Sequence, residues 1–172
     1  MDKLVLETKF TTDNTGEIEG LAWPFGSADR VGDVIEKGAF SGVKLPLTML
    51  FGHDQNDPIG VWTEATEAPD GLRLKGRLLV NDVARAREVR ALVQSGAVRG
   101  ISVGFITRKS IARTSGGRTV GRTISQLELL EASLVALPMH PGARVTSAKS
   151  AIKALGIADA LNRATALFRK GN

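Results

Sequence analysis

Residues 99–105, the stretch that decides the fold, read Arg99-Gly100-Ile101-Ser102-Val103-Gly104-Phe105. In an extended strand alternate side chains point to opposite faces, so the apolar residues of this stretch share one face. The other face carries one hydroxyl, that of Ser102, between two glycines. We therefore predict a strand with a core face and a bare face that another backbone can approach closely. Taken alone, the pattern favours a simpler interpretation, a barrel strand with glycines at a bend and a serine that fills space.

The composition of the 172-residue chain is that of one ordinary globular domain. Hydrophobic residues make up 42% and charged residues 24%, which is typical of a folded core with a charged surface. The N-terminus lacks the apolar segment of a secretory signal and no apolar run reaches membrane-spanning length, so we expect a soluble, unexported protein. The absence of cysteine excludes disulfides, a thiol nucleophile and thiolate metal ligands.

The formal charge of +5 raises the question of nucleic-acid binding. The excess positive charge is concentrated in residues 108–122 and in the tail after residue 148. Neither segment interleaves aromatic residues with basic ones, and the chain has no tyrosine to stack on bases. A solvated basic face is the first interpretation and contact with an acidic protein partner the second. Specific nucleic-acid binding is not expected, and a steep salt dependence of binding would be its signature.

Strand and turn signals dominate the chain. One helix is predicted from Asn81-Asp82 to about Gln94, ended by Gly96 and leading directly into the Ser102 strand. From Ser147 onward apolar residues recur every three or four positions, which predicts an amphipathic helix. The expected division is therefore a domain at residues 1–145 and a helical tail at 146–172. Strands are predicted at 4–10, 16–24, 45–53, 61–65, 72–78 and 127–137, with turns at 69–71 and 115–117.

Three polar residues, His53, Ser102 and Glu131, occupy positions that core packing would give to other residue types. In the predicted strand 45–53 every second residue is apolar, and His53 lies on the same face as these apolar residues, at the end of the strand. Glu131 lies within the most apolar strand of the chain. A carboxylate there is costly unless a donor pairs with it. Acyl transfer uses this set: a hydroxyl attacks, an imidazole accepts its proton, and an anion fixes the imidazole tautomer. We therefore expect Ser102 as nucleophile, His53 as base and Glu131 as orienting acid.

Each of the three residues also fits a purely structural role, and these roles stay open. They are a histidine at a strand end, a filler serine and a glutamate paired with a core arginine. The match of residues 100–104 to G-x-S-x-G is weak evidence for an α/β-hydrolase, because a helix precedes Ser102 and another strand follows it. A metal site formed by His53, Asp54 and His140 lacks helical ligand spacing and a third clear ligand.

Five motifs, in this order, resemble the prohead (capsid maturation) proteases of HK97-like tailed phages, including related proteases of gene transfer particles. The resemblance runs from about Gly16 to Val145. The motifs are Asp29-Arg30-Val31-Gly32-Asp33-Val34-Ile35 with Gly38-Ala39-Phe40; Leu50-Phe51-Gly52-His53-Asp54 with Pro58-Ile59-Gly60; Gly71-Leu72 with Gly76-Arg77-Leu78; Gly100-Ile101-Ser102-Val103-Gly104-Phe105; and Leu130-Glu131-Ala132-Ser133-Leu134-Val135 with Pro138.

The resemblance implies a mixed α+β fold of the herpesvirus-assemblin type, a small closed antiparallel β-barrel flanked by helices. It implies a serine endopeptidase in which Ser102 matches the nucleophile, His53 the base and Glu131 the third member, with His140 as the rival for that third place. No metal or organic cofactor is implied. The implied partner is the major capsid protein with its scaffolding segment, cut inside immature capsids in the bacterial cytoplasm, and self-association stays open.

A second class of function competes with the protease. The same barrel could act as a non-enzymatic internal scaffold that holds acidic coat-protein segments with two basic parts, the hairpin predicted around residues 115–117 and the tail. An active-site-directed phosphonate separates the two classes, because it labels Ser102 only where the hydroxyl is activated. The backbone donors for an oxyanion are expected either in the loop at residues 138–144 or beside Ser102.

Overall fold

The computed structural model describes residues 16–148, which contain eight strands and one helix. The predicted strand at 4–10 and the helical tail lie outside the described residues, and the domain boundary predicted after residue 145 falls inside the last strand. The elements are β1 (Glu17–Pro24), β2 (Val34–Ile35), β3 (Leu47–Phe51), β4 (Pro58–Ala68), β5 (Gly71–Leu78), α1 (Ala84–Ser95), β6 (Gly100–Ser115), β7 (Arg118–Val135) and β8 (Arg144–Ala148).

All eight strands belong to one sheet, in which β7 pairs with three other strands, β2, β3 and β6. The strand order is β2-β7-β3-β4-β5-β1-β8, and β6 pairs with β7 as well. β3 runs parallel to β7 along residues 131–134, while β6 runs antiparallel to the same stretch. This short stretch of β7 therefore has β3 and β6 as its two neighbours, and it brings side chains from three distant parts of the sequence together.

Two tight turns set the register of the long hairpins, as the sequence predicts. β6 and β7 are joined through Gly116 and Gly117, which have φ values of 56° and 76°. Two consecutive residues in the left-handed region make the turn that matches the twist of a hairpin, and glycine adopts it without steric cost. β4 and β5 are joined by Pro69 and Asp70, between the paired Ala68 and Gly71.

The prediction of a closed, fully antiparallel barrel is wrong in two respects. The sheet is mixed, because β2 and β3 both pair with β7 in parallel. It is also open, because β6 and β8 form no ladder within residues 16–148; a 2.9 Å backbone hydrogen bond from Val145 N–H to Arg99 O bridges them instead. The Ile101 side chain fills the gap: its Cδ1 lies 2.4 Å from where a Cβ on Gly20 would be. Side-chain packing thus replaces backbone pairing at this seam.

The helix α1 packs on the core through Ala86, Val89 and Val93. Gly96 ends it with φ 78° and donates its N–H to Val93 O, as predicted from sequence. The N-cap predicted at Asn81-Asp82 is wrong, because the backbone N–H groups of Asp82 and Val83 both bond to Leu79 O and delay the helix until Ala84. Within residues 16–148, no helix has the length and apolar character needed to cross a bilayer.

Candidate active site

The bare face of β6 is covered by other parts of the same chain. A Cβ on Gly100 would lie 2.7 Å from Pro138 Cδ, and one on Gly104 would lie 2.2 Å from a Glu131 carboxylate oxygen. The two glycines therefore make room for Pro138 and Glu131, whereas the sequence suggested room for another backbone. Ser102 lies between them, is only 4% exposed, and pairs in register with Ser133 of β7. Directly opposed residues of an antiparallel pair share a face, so these two serines are side-chain neighbours.

A β-bulge at Leu130 turns Glu131 onto this polar face. In the ladder between β6 and β7, Gly104 pairs with Glu131 while the next residue, Phe105, pairs with Leu129. Leu130 is thus an extra residue, and it is half exposed. An extra residue reverses the alternation of the strand, which allows Leu129 to stay in the core while Glu131 leaves it. Glu131 therefore does not share a face with the buried Leu129, although strict alternation along a strand would place residues 129 and 131 on the same face.

His53 reaches Glu131 through a turn that follows β3. The strand ends at Phe51, and both Gly52 and His53 have φ 64°, which is uncommon for a non-glycine residue. The row predicted from parity therefore does not extend to His53. The His53 Nδ1 atom lies 2.8 Å from Glu131 Oε1, with side-chain exposures of 45% for His53 and 14% for Glu131. Two residues separated by 78 positions are joined by this contact.

Ser133 belongs to the site, although its role is not evident from the sequence. It is fully buried at 0% exposure, and its hydroxyl donates a 2.6 Å hydrogen bond to Glu131 Oε2. The Ser133 hydroxyl oxygen also accepts the backbone N–H of His53 at 3.1 Å. The sequence contains one hint of this role: Ser133 follows Glu131 by two positions, which places its hydroxyl on the same face of an otherwise apolar strand.

The hydrogen bonds fix which His53 nitrogen can act as a base. A carboxylate accepts hydrogen bonds, so the Nδ1 atom of His53 carries the proton in its contact with Glu131. The Nε2 atom of the neutral ring then has the free lone pair that can accept a proton. Within residues 16–148, Nε2 has no hydrogen-bond partner and the Ser102 hydroxyl has none either. Ser102, Ser133, Glu131 and His53 nevertheless form one continuous group, because Ser133 contacts both His53 and Glu131 and opposes Ser102.

His140 has hydrogen-bond partners of its own within residues 16–148, and His53 is not among them. Its Nδ1 accepts the Gly142 N–H at 3.1 Å, which leaves the proton on Nε2, and Nε2 faces Ser27 Oγ at 3.2 Å. The ring is buried edge-on against Trp23, with centroids 5.1 Å apart. The structure therefore joins Glu131, and not His140, to the His53 imidazole. The part of the chain that the structure describes contains no group of three or more metal-ligating side chains.

The first of the five motifs forms a hydrogen-bonded loop beside the site. Asp29 Oδ1 accepts the N–H groups of Val31 and Asp33, and the buried Asp33 carboxylate holds both the backbone and the guanidinium of Arg122. This hydrogen bonding raises the pKa of Arg122 above its ordinary value. Arg30 donates to Pro138 O at 3.2 Å, so the loop is tied to the segment that covers Gly100.

Comparison with known proteins gives consistent matches. The family model described as caudovirus prohead serine protease matches residues 4–156. The prohead protease of Enterobacteria phage HK97 is 33% identical over 154 residues, which is 84% of this chain and 65% of that protein. The capsid polyprotein of Pseudomonas phage PAJU2 is 35% identical over 151 residues, 84% of this chain and 22% of that protein. The prohead protease of Escherichia phage T5 is 28% identical over 131 residues, 72% of this chain and 59% of that protein. The matched part of this chain thus spans less than two thirds of each of these relatives.

One solved structure supports the fold. The KSHV protease, in complex with a hexapeptide phosphonate inhibitor, superposes with a TM-score of 0.53 over 75% of this chain and 63% of that chain. The sequence identity is 13%, so the likeness concerns the fold alone. It agrees with the herpesvirus-protease type of fold expected from the motifs, with the open sheet described above in place of a closed barrel.

Proposed function

The chain belongs to the caudovirus prohead serine protease family, as its motifs predict, and from this premise we propose that it is a serine endopeptidase of capsid maturation. Its proposed substrates are the scaffolding part of the major capsid protein and the protease itself. Ser102 is the nucleophile, His53 the general base and Glu131 the acid that orients His53. The observation that carries the proposal is the 2.8 Å contact between His53 Nδ1 and Glu131 Oε1, beside a serine in register with Ser133.

The reaction follows from these roles. Ser102 Oγ attacks the scissile carbonyl carbon while His53 Nε2 takes the hydroxyl proton, and Glu131 stabilises the imidazolium through Nδ1–H. The imidazolium then gives its proton to the leaving amine, which departs as the acyl-enzyme forms. Water, deprotonated by the same Nε2, releases the acyl group and restores the Ser102 hydroxyl.

The tetrahedral oxyanion requires backbone N–H donors, each worth about 2.7 to 4 kcal/mol in other hydrolases. In the loop proposed for them, the N–H of Gly142 already donates to His140 Nδ1 and that of Ala143 to His140 O. The oxyanion donors are therefore among the other amides of residues 138–144 or beside Ser102.

The relatives support the proposed partner and location. One relative is a capsid polyprotein of which the matched part is 22%, so a segment similar to this chain occurs there together with capsid sequence. Two others are named prohead proteases. We accordingly propose the major capsid protein as partner, and the interior of the immature capsid in the bacterial cytoplasm as the place of action.

The competing scaffold function is tested by covalent labelling. A peptidyl phosphonate should label the purified protein at Ser102, and both Ser102→Ala and His53→Ala should abolish labelling while keeping the folded state. Ser110→Ala is a matched control, because Ser110 lies exposed on the same strand. Co-expression with the capsid protein of the same particle, read by mass spectrometry, then locates the cleavage sites. Capsid-protein processing that persists with Ser102→Ala would contradict the assignment of Ser102 as nucleophile. Wild-type protein that is folded but not labelled would favour the scaffold function.

A further inference from the structure

We propose that Ser133 is a positioning residue that fixes both the carboxylate of Glu131 and the backbone of His53, and so sets the direction of the base. This inference rests on the proposed protease function. It assigns to the buried serine of β7 a role that the motif alone does not reveal.

The first step of the argument is the orientation of the carboxylate. Glu131 uses one oxygen for His53 Nδ1 and the other for the Ser133 hydroxyl, at 2.8 and 2.6 Å. A carboxylate held by one oxygen can still rotate about its last side-chain bond, whereas one held by both cannot. Hydrogen bonds to a charged group are among the stronger ones in proteins. Ser133 therefore directs the lone pair of Oε1 at the imidazole.

The second step concerns the backbone of His53. Its φ of 64° lies in the left-handed region, where a residue with a side chain is strained by the order of 1 kcal/mol. Such a conformation persists only where the surroundings hold it. The His53 N–H donates to Ser133 Oγ at 3.1 Å, and the neighbouring Gly52 N–H donates to Leu134 O at 3.1 Å. The turn that carries the imidazole is thus fastened to β7 at two successive residues.

The third step is that one hydroxyl serves both contacts. A serine hydroxyl has one proton to donate and lone pairs to accept. The Ser133 hydroxyl donates its hydrogen to the Glu131 carboxylate, and a lone pair on the same oxygen accepts the His53 N–H. The donor and acceptor roles are therefore consistent. Alanine at this position would remove both contacts at once and leave the partly buried His53 N–H without this partner, whereas the apolar core below β7 would be unchanged.

The test is Ser133→Ala, measured by the rate of phosphonate labelling at Ser102 and by cleavage of a capsid-derived peptide. We expect kcat and the labelling rate to fall about 10- to 100-fold, the range for hydrogen bonds to a charged group, with KM nearly unchanged. The far-downfield proton NMR signal of the His53 Nδ1–H should weaken or disappear. Ser125 is a half-buried serine of the same strand, and Ser125→Ala should change neither the rates nor the NMR signal.

A double-mutant cycle separates positioning from a purely structural role. If part of the effect of Ser133 acts through Glu131, the loss of labelling rate in the double variant Glu131→Gln, Ser133→Ala should be clearly smaller than the product of the two single losses; the part that acts through the His53 backbone N–H remains. Losses that multiply in the double variant, or an unchanged downfield signal in Ser133→Ala, would overturn the proposal. Should Ser133→Ala fold poorly, Ser133→Cys fills the same space with a weak donor and should show the same loss.

The outcomes also distinguish this inference from the proposed function. Wild-type protein that is never labelled contradicts the protease itself. Wild-type protein that is labelled, together with a Ser133→Ala variant of equal rate and equal NMR signal, contradicts only the positioning role of Ser133.

Discussion

Replacing Gly104 by alanine should disable the site while leaving the fold intact. A Cβ at this position would lie 2.2 Å from Glu131 Oε1 and 3.0 Å from Cδ. To restore an ordinary contact of 3.4 Å, the oxygen must move by the difference, about 1.2 Å. Because Ser133 holds the other oxygen and the imidazole lies 2.8 Å away, the carboxylate cannot yield that far and keep both hydrogen bonds.

The size of the effect follows from the geometry. A misplacement of about 1 Å in a catalytic arrangement costs on the order of 100-fold in rate. The fold should tolerate the change, since the clashing atoms are the end of a side chain and Gly104 is not among the residues with positive φ. We therefore expect about a 100-fold lower labelling rate at Ser102, with an unfolding midpoint close to that of the wild type.

The matched control is Gly42→Ala. A Cβ on Gly42 would have no atom within 4 Å, and this glycine has no positive φ, so the same chemical change there should alter neither rate nor stability. A Gly104→Ala protein that is labelled as fast as the wild type would refute the reasoning, because it would show that the contact between Glu131 and His53 does not set the rate.

Three further changes have definite expected outcomes. Glu131→Gln should lower kcat by as much as about 10⁴-fold without abolishing acylation, as for a triad whose acid is neutralised; a peptide-cleavage rate near that of the wild type would contradict this. Asp33→Asn should lower stability by about 1 to 3 kcal/mol in urea denaturation, because a buried carboxylate that holds the half-exposed Arg122 is lost; an unchanged midpoint would count against it. The hydrogen bond from Arg73 lowers the pKa of Asp70, so this pair stabilises the fold above the ordinary aspartate pKa and loses its effect as pH falls through the lowered value. Asp70→Asn should therefore lower the thermal midpoint at neutral pH, and the difference from wild type should vanish in acid; a difference that grows in acid would show the opposite sign.

Much of the arrangement of the candidate site could be predicted because its members carry local signals. Parity alone places Ser102 opposite the core residue Ile101, and the structure has Ile101 buried on the other face. The contact of His53 with Glu131 follows the chemical need of a buried carboxylate for a donor. Ser133 lies within the last motif but could be given no role from sequence, because a single hydroxyl in a strand has no signal of its own until its neighbours across the sheet are known.

The sequence by itself determined the family, the strand-rich character and the turns, since glycine and proline positions and the order of motifs are written in the chain. The two-glycine turn after Ser115 is such a feature. Only the tertiary structure decided the bulge at Leu130, the left-handed turn at His53 and the open seam between β6 and β8. Each of these depends on the register between segments far apart in sequence, and a bulge or a strained φ is stable only when the opposing strand supplies its hydrogen bonds.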